Sequence, residues 1–388
     1  MGKAIKVLVV FGTRPEAIKM APLVRELALY PDQIDCRVAV TAQHREMLDQ
    51  VLQLFDLYPH YDLDIMRPGQ SLFEVTERAL AGLEKVISQE RPDLVLVHGD
   101  TTTTFAAALA AFYLQVPVGH VEAGLRTQNK YSPFPEEINR HLTAVMADLH
   151  FAPTATARDN LLKEGIGREK IFVTGNTVID ALFFTVRSGY RFNNPVLESI
   201  DYKKRRLLLV TTHRRENLGT PLKSVYEALR TIVESYPDVE VVFPVHKNPA
   251  VFNVAQAELG GLPRVHLVDP LDYEPFVNLM QCSFLVLTDS GGLQEEAPAL
   301  GKPVLVLREV TERPEAVWAG TVRIIGTSRE RVVAEVQRLL DDQQRYQQMA
   351  EAVNPYGDGQ ASRRIAQAIL CYFGYVAEPP DEYCAVER

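Results

Sequence analysis

Residues Val95 to Thr127 read VLVHGDTTTTFAAALAAFYLQVPVGHVEAGLRT, and this stretch predicts the fold. The apolar run ending at Val97 and the run Val116 to Val121 are β-branched and uninterrupted, as in strands that are covered on both faces. The alanine-rich segment between them predicts a helix capped by Thr101 to Thr104. A strand–helix–strand unit of this length closes right-handed, so its two strands are parallel and end at the same edge of a sheet.

One carboxylate follows each of these strands, namely Asp100 and Glu122. Open α/β sheets bind ligands at this edge, so the pair is a candidate for acid/base or metal chemistry. Alternatively, Asp100 only caps the helix and Glu122 is a solvated loop acid. A metal site of His98, Asp100, His120 and Glu122 is conceivable because side chains two positions apart on a strand share a face. We expect no metal.

Length and composition limit the possible classes of protein. The chain has 388 residues, more than the roughly 250–300 that one hydrophobic core usually serves, so two domains are expected. A net charge of −9 opposes nucleic-acid or anionic-membrane partners. The four cysteines lack C-x-x-C spacing, and no signal peptide or membrane-length apolar run is evident. We therefore expect a cytoplasmic protein.

The alternation of strands and helices predicts two successive α/β domains that face each other across a cleft. The first spans residues 1–188 and is expected to be joined by a C-terminal helix at 360–375, while the second spans 203–358. The aperiodic segment from Gly189 to Lys204 is the predicted linker. Strands are predicted at Ile5–Phe11, Cys36–Thr41, Leu149–Ala152, Ile171–Val173, Leu207–Thr211, Val239–Pro244, Val265–Leu267, Phe284–Thr288 and Pro303–Leu307, in addition to the two above.

Two further segments of the first domain carry candidate residues. Gly12 to Pro15 separates a strand from a helix, so its amides could face an anion, and Arg14 and Lys19 could add charge for a phosphate. An ordinary turn with a solvated arginine explains the same residues. Glu136 and Glu137 fall in the first turn of a predicted helix, where the helix dipole is a sufficient structural explanation.

In the second domain, Ser290, Gly291 and Gly292 follow an apolar strand and precede a helix that contains Glu295 and Glu296. Glycine amides at a helix start suit a diphosphate, and a nearby glutamate can accept both hydroxyl groups of a ribose. A plain tight turn is the alternative.

A second group of polar residues follows another strand of this domain. His213, Arg214 and Arg215 place an imidazole and two guanidinium groups where a phosphate could lie, and Arg313 adds a cation.

Nine motifs, taken in order, resemble those of the non-hydrolysing UDP-N-acetylglucosamine 2-epimerases. They are GTRPEAIKMAP, TAQHR, HGDTTTT, HVEAGLRT, PFPEEINR, VTGN, HRREN, TDSGGLQEEAP and TERPE, and the match runs from about residue 5 to about 370. The resemblance implies two Rossmann-like doubly wound domains, as in GT-B glycosyltransferases, and interconversion of UDP-GlcNAc and UDP-ManNAc without metal or cofactor. It further implies a homodimer that supplies ManNAc units for envelope polysaccharide.

The resemblance also implies roles for particular residues. Those for UDP binding fall on Arg14, Lys19, His213, Phe276, Ser290, Gly291, Gly292, Glu296 and Arg313. Those for proton transfer and assistance to the leaving group fall on Asp100, Glu122, Glu136 and His213.

The chemistry leads to the same class of reaction. Inversion at C2 of the sugar requires either transient oxidation or elimination across C1 and C2. Oxidation needs a nicotinamide site, and the sequence contains no G-x-G-x-x-G. Elimination needs carboxylates at the sugar and cations at the diphosphate. A GT-B glycosyltransferase, a hydrolysing epimerase and a non-enzymatic nucleotide-sugar binding module remain as alternatives.

One expectation concerns regulation. Many bacterial members of the family resemble one another in binding a second UDP-GlcNAc as an activator, partly through a Gln-His-Arg-Gln segment and an arginine after an Ile-Met pair. The matching residues here are Gln43, His44, Arg214 and His246. However, Glu46 replaces the last glutamine and Gly69 the arginine, although Arg67 is close by. We therefore expect weak or absent activation.

Overall fold

The computed structural model of the chain describes residues 4–42 and 45–385, which form two compact units. The first unit comprises Met1–Phe184 and Tyr356–Cys384, and the second comprises Thr185–Pro355. Each unit is built on one sheet whose paired strands are all parallel.

The first unit has a seven-stranded sheet. Its strands are β1 (Ile5–Phe11), β2 (Ile34–Val40), β3 (Tyr61–Asp62), β4 (Leu94–His98), β5 (Val118–Val121), β6 (Leu149–Ala152) and β7 (Ile171–Val173), in the order β3-β2-β1-β4-β5-β6-β7. The chain begins at β1, builds outward to β3 and then returns to β4 on the other side of β1. The strand order therefore reverses between β1 and β4, which is where such sheets bind ligands.

The second unit repeats this plan with six strands. They are β8 (Arg206–Thr211), β9 (Val239–Pro244), β10 (Val265–Val268), β11 (Leu285–Thr288), β12 (Val304–Val306) and β13 (Val322–Ile324), in the order β10-β9-β8-β11-β12-β13. Its switch point lies between β8 and β11.

The helices connect these strands. They are α1 (Arg14–Leu27), α2 (Arg45–Leu54), α3 (Leu72–Glu90), α4 (Thr102–Tyr113), α5 (Glu136–Met146), α6 (Ala155–Lys163), α7 (Thr177–Thr185), α8 (Pro195–Glu198), α9 (Thr220–Ser235), α10 (Pro249–Leu259), α11 (Tyr273–Cys282), α12 (Leu293–Ala299), α13 (Pro314–Trp318), α14 (Arg329–Asp341), α15 (Gln343–Ala350) and α16 (Ala361–Tyr372).

The C-terminal helix α16 packs against α1 within the first unit. The carboxylate of Asp180 accepts hydrogen bonds from the backbone amides of Ala361 and Ser362 at 3.2 and 2.7 Å. These amides belong to the first turn of α16, where no carbonyl of the helix itself can satisfy them. The last helix of the chain is thereby anchored to α7.

The predicted α/β class with doubly wound sheets is confirmed, and several strands have the predicted bounds, among them Ile5–Phe11 and Val239–Pro244. The sequence did not predict β3 and β13, which are edge strands of two and three residues. Such strands are too short to show alternation of apolar and polar residues. In the described part of the chain, none of the helices has the length and apolar character of a membrane span.

Candidate active site

Asp100 and Glu122 follow neighbouring strands at one edge of the first sheet. His98, at the end of β4, pairs with Val121, at the end of β5, and the amide of Gly99 donates to the carbonyl of Val121 at 2.9 Å. Both acidic residues therefore leave the sheet beside the switch point. This is the placement that the strand–helix–strand pattern predicts.

The carboxylate of Glu122 is buried among nitrogen atoms. Oε2 pairs closely with the ammonium group of Lys19, accepts a hydrogen bond from Asn176 Nδ2 at 2.9 Å and lies 3.8 Å from His98 Nε2. Burial alone would raise the pKa of Glu122, but Lys19, His98 and Arg140 outweigh it, so the pKa lies below its usual value. Glu122 is therefore ionised, and it adopts a left-handed backbone conformation with φ of 60°.

Asp100 is paired with an arginine from the next helix. The guanidinium group of Arg140 on α5 contacts the Asp100 carboxylate, and Asn139 Nδ2 donates to the Asp100 carbonyl at 3.0 Å. Because Arg140 is buried, its charge requires such a partner. One helix thus holds both the side chain and the backbone of Asp100.

Glu16 joins the two turns at this switch point. One carboxylate oxygen accepts the backbone amides of Gly12 and Thr13 at 3.1 and 2.8 Å, and the other accepts the hydroxyl group of Thr101 at 2.7 Å. Burial raises the pKa of Glu16, and these hydrogen bonds offset the effect only in part. The turn before α1 and the turn before α4 are thereby tied together.

The other candidate residues of the first unit differ in how they are bonded. The side chains of Arg14 and Glu136 form no hydrogen bond or ion pair with any described residue, and both are half-buried. The carboxylate of Glu137 instead accepts the backbone amides of Thr127 and Gln128 at 3.1 and 3.0 Å. Glu137 therefore shapes the loop that precedes α5.

Three histidines are buried near this edge. His120 lies opposite His150 in the β5–β6 register, and its Nε2 is 2.7 Å from the carbonyl oxygen of Gly99. Burial lowers the pKa of His98 to about 3 and that of His150 to about 4, so both rings are neutral at physiological pH. Among residues 4–42 and 45–385, no group of three or more His, Cys, Asp or Glu side chains is arranged to hold a metal ion.

In the second unit, Asp289 lies at the switch point, directly after β11. It is fully buried and accepts hydrogen bonds from the backbone amides of His213 and Arg214, at 3.0 and 2.9 Å, and from Asn217 Nδ2 at 3.1 Å. Nδ1 of His213 lies 3.1 Å from Asp289 Oδ1, while the His213 side chain as a whole is 39% exposed. The His213 imidazole is therefore held by Asp289 at one ring nitrogen, while the rest of the ring remains accessible.

Ser290, Gly291 and Gly292 form the turn into α12. A Cβ atom added at Gly291 would lie 3.8 Å from Glu312 Oε2 and 3.9 Å from Arg214 Nη2, which is ordinary contact distance. The space above this glycine is therefore not filled by protein atoms, and its border carries both a guanidinium and a carboxylate group.

The remaining UDP candidates lie on or near α11 and α12. Glu296 is buried and accepts a hydrogen bond from the hydroxyl group of Tyr273 at 3.2 Å. Phe276 is half-buried one turn after Tyr273 on α11. Arg313 is closely paired with the buried carboxylate of Glu295. Glu295 and Glu296 thus contact different partners although they are adjacent in sequence.

The family profile described as UDP-N-acetylglucosamine 2-epimerase matches residues 28–370. The chain belongs to the UDP-N-acetylglucosamine 2-epimerase family. A UDP-N-acetylglucosamine 2-epimerase of Bacillus subtilis strain 168 is 57% identical over 381 residues, which are 98% of this chain and 99% of the relative. The UDP-GlcNAc 2-epimerase of Neisseria meningitidis, solved bound to UDP-GlcNAc, is 49% identical with a TM-score of 0.82, over 94% of this chain and 100% of that one.

A more distant structure shows the fold alone. A glycosyltransferase of kitacinnamycin is 13% identical, and it superposes with a TM-score of 0.64 over 95% of this chain and 99% of its own. The GT-B-like fold class that the resemblance implies is therefore confirmed for this member of the UDP-N-acetylglucosamine 2-epimerase family.

Sequence reasoning missed several residues that hold the candidate groups of this epimerase-family chain. Asn176 lies just past the end of β7, a position that commonly carries ligand-edge residues. Arg140 follows Glu136 by one helical turn, so the two side chains share a face of α5. All four residues lie inside the motifs quoted above, but only the fold shows which groups they contact and that Glu16 and Asp289 join separate turns.

The predicted effector residues are described only in part. Gln43 and His44 lie outside the described residues, as does the side chain of Glu46. In the second unit, the exposed ring of His246 is stacked with that of His213 at a centroid distance of 6.3 Å. Arg214 Nε donates to the carbonyl of Asp289 at 3.3 Å.

Arg67 lies close to Gly69 and is the candidate to replace the positive charge that the family pattern has at that position. The guanidinium group of Arg67 donates to the backbone carbonyls of Asp64 and Met66 at 3.1 and 2.5 Å. A Cβ atom added at Gly69 would meet no other atom within 4 Å. Arg67 is thus bonded within its own loop.

Proposed function

We propose that this epimerase interconverts UDP-GlcNAc and UDP-ManNAc without hydrolysis. The observation that carries the proposal is the buried Glu122, ionised beside Lys19 and one strand away from Asp100 paired with Arg140. An ionised carboxylate held in this way can accept a proton from a sugar carbon.

The proposed reaction is an elimination followed by an addition. A carboxylate removes the C2 proton, the electron pair of the C2–H bond forms the C1–C2 double bond, and the C1–O bond breaks with its electron pair going to UDP. UDP then adds back to C1 of the 2-acetamidoglucal from the same side, while an acid delivers a proton to the opposite face of C2. We assign the proton transfers to Asp100, Glu122 and Glu136, and assistance to the departing diphosphate to His213.

We assign the binding of UDP mainly to the second unit. Gly291 leaves space beside Arg214, which suits a diphosphate, and the buried carboxylate of Glu296 suits the hydroxyl groups of a ribose. Ser290, Gly292, His213, Phe276 and Arg313 complete the proposed set, together with Arg14 and Lys19 of the first unit. The close pair of Lys19 and Glu122 favours a position for this lysine near the sugar acids.

The deciding experiment is proton NMR of UDP-GlcNAc with the protein in deuterated water. Formation of UDP-ManNAc with deuterium at C2 and no net release of UDP is the expected result. Stoichiometric free UDP with ManNAc would indicate a hydrolysing epimerase, and UDP binding without C2 exchange would indicate a binding module. Turnover only after an acceptor is added would indicate a glycosyltransferase.

We further propose that the protein is a homodimer. Phe112 and Tyr113 at the end of α4 are exposed, as are Ile138, Leu142 and Val145 on one face of α5, and these two helices pack together. Exposed apolar surface of this kind is typical of interfaces. Light scattering should give twice the chain mass, and Val145→Asp should lower it. A cytoplasmic location and a role in envelope polysaccharide are proposed from the family resemblance.

A further inference from the structure

The environment of Asp289 is built entirely from hydrogen-bond donors. Its side chain is fully buried, and the nitrogen atoms around it are the backbone amides of His213 and Arg214, Nδ2 of Asn217 and Nδ1 of His213. The two backbone amides and the Asn217 side chain can only donate in these contacts. The carboxyl group therefore accepts from all of them.

This environment favours the ionised form of the acid. Burial would raise the pKa of Asp289, but the donors from His213 and Arg214 outweigh it and the pKa lies below its usual range. No lysine or arginine side chain within the described residues forms an ion pair with this carboxylate. The negative charge is therefore balanced by N–H groups, and one of them belongs to a titratable ring.

The protonation pattern of His213 follows from this contact. Because an ionised carboxylate has no proton to give, Nδ1 must carry the proton that it shares with Oδ1 at 3.1 Å. Nε2 forms no hydrogen bond with any described residue, and the side chain is 39% exposed. In the neutral ring Nε2 is therefore an open proton acceptor, and in the charged ring it is an open proton donor.

We propose that Asp289 is a positioning residue for His213: it fixes the Nδ1–H tautomer and aims Nε2 at the ligand. The proposal deepens the function proposed above and rests on it for the role of His213. When the C1–O bond breaks and its electron pair passes to UDP, Nε2 of the imidazolium donates its proton to that oxygen. On re-addition UDP returns the proton to Nε2, so the ring ends each turnover as it began.

Other charged or titratable groups also lie near this ring. Arg214 lies next to it, His246 is stacked with it at 6.3 Å, and Glu312 lies near Arg214. Of the four groups, only Asp289 lies within ion-pair distance of a His213 ring nitrogen in the described chain, at 3.1 Å. The tautomer should therefore depend on Asp289 rather than on the surrounding charge.

A purely structural role is the competing explanation. Asp289 also ties the turn after β8 to the turn after β11 through two backbone amides, so its loss could weaken the fold alone. Asn217 offers a matched control, because it donates to the same carboxylate and to the carbonyl of Leu307 but does not touch the imidazole.

The first measurement needs no variant. Nitrogen-15 NMR of the histidine side chains in the intact protein, with His213 assigned through His213→Asn, should show the Nδ1–H tautomer for neutral His213. The Nε2–H tautomer would overturn the proposal whether or not the protein is an active epimerase. Because this readout does not depend on turnover, it separates failure of the proposal from failure of the proposed function.

The second measurement is a double-mutant cycle that combines substitutions of Asp289 and His213. Asp289→Asn should lower kcat by about 10² to 10³, change KM much less, and alter the pH dependence of kcat. In a His213→Asn background the same substitution should cause little further loss, since it acts through that ring. Asn217→Ala should lower Tm while changing kcat less than threefold. Equal losses of kcat with and without His213, or equal losses in Asp289→Asn and Asn217→Ala, would overturn the proposal.

Discussion

The side-chain amide of Asn176 donates a hydrogen bond to the carboxylate of Glu122 at 2.9 Å. Asn176 lies between β7 and α7, whereas Glu122 follows β5, so the contact spans three neighbouring strands of the sheet. It adds a neutral donor to the oxygen that Lys19 already contacts. This polar cluster holds Glu122 in a backbone conformation that residues other than glycine seldom adopt.

Removing this donor should lower the rate. A hydrogen bond to a charged group contributes about 1.5–3 kcal/mol, so Asn176→Ala should lower kcat/KM by roughly 10- to 100-fold. Asn194→Ala, which removes the cap of α8, is the control. Unchanged kcat/KM in Asn176→Ala would show that this hydrogen bond does not support catalysis by Glu122.

The three candidate acids should act on the sugar rather than on the nucleotide. Asp100→Asn, Glu122→Gln and Glu136→Gln should each keep UDP affinity within about threefold and lower turnover by about 10² to 10⁴. Glu74→Gln, in the exposed cap of α3, should leave both quantities unchanged. Normal turnover in any of the three variants would remove that acid from the proposed set.

Substitutions in and near the turn before α12 should weaken ligand binding without disturbing the fold. A Cβ atom at Gly291 would meet only ordinary contacts, so Gly291→Val should fold, yet its side chain would occupy the space proposed for the diphosphate. Calorimetry should therefore show weaker UDP binding with an unchanged Tm. Glu296→Ala should weaken UDP binding by about 1–3 kcal/mol, and Tyr273→Phe by less. Wild-type affinity in both Gly291→Val and Glu296→Ala would place UDP elsewhere.

The buried histidines should make the protein sensitive to acid. Above pH 6.5 these rings are neutral in both the folded and the unfolded chain. As the pH falls below 6.5 the unfolded chain binds protons, but the folded protein does not until its lowered pKa is reached, about 4 for His150. Each such ring should therefore reduce the free energy of unfolding by about 1.4 kcal/mol per pH unit between those values.

Urea unfolding at pH 6.5, 5.5 and 4.5 measures this effect. His150→Phe should give a shallower loss of stability with falling pH, whereas His246→Asn, which changes an exposed ring, should not. The same slope in His150→Phe as in the parent protein would contradict the assignment.

Activation by substrate should be weak or absent. Glu46 and Gly69 replace a neutral amide and a cation of the family pattern, and each such change of charge disfavours a diphosphate by about 1 kcal/mol. Pure UDP-ManNAc, supplied without UDP-GlcNAc, should therefore be converted linearly from the start. A long lag that a trace of UDP-GlcNAc abolishes would show a working effector site, and loss of that effect in Arg67→Gln would identify the replacement charge.

The sequence predicted those features that depend on local pattern. Buried strands such as Ile5–Phe11 are apolar because both of their faces are covered, so their bounds could be assigned from composition. The placement of Asp100 and Glu122 followed from the handedness of a single strand–helix–strand unit. The partners of these acids could not be predicted in this way, because Arg140 and Asn176 reach them from other elements. Hydrogen bonds between distant segments leave no periodic signal in a single sequence.

The position of α16 has a consequence for the synthesis of the chain. This helix is made after the whole of the second unit, yet it packs on α1, which is made before that unit. The ribosome therefore delivers every residue of the second sheet before the first unit has its final helix. A nascent chain that stalls before Tyr356 contains every strand of the second unit, but its first unit lacks the helix that covers one side of α1. Premature termination should therefore expose the N-terminal unit to proteolysis first.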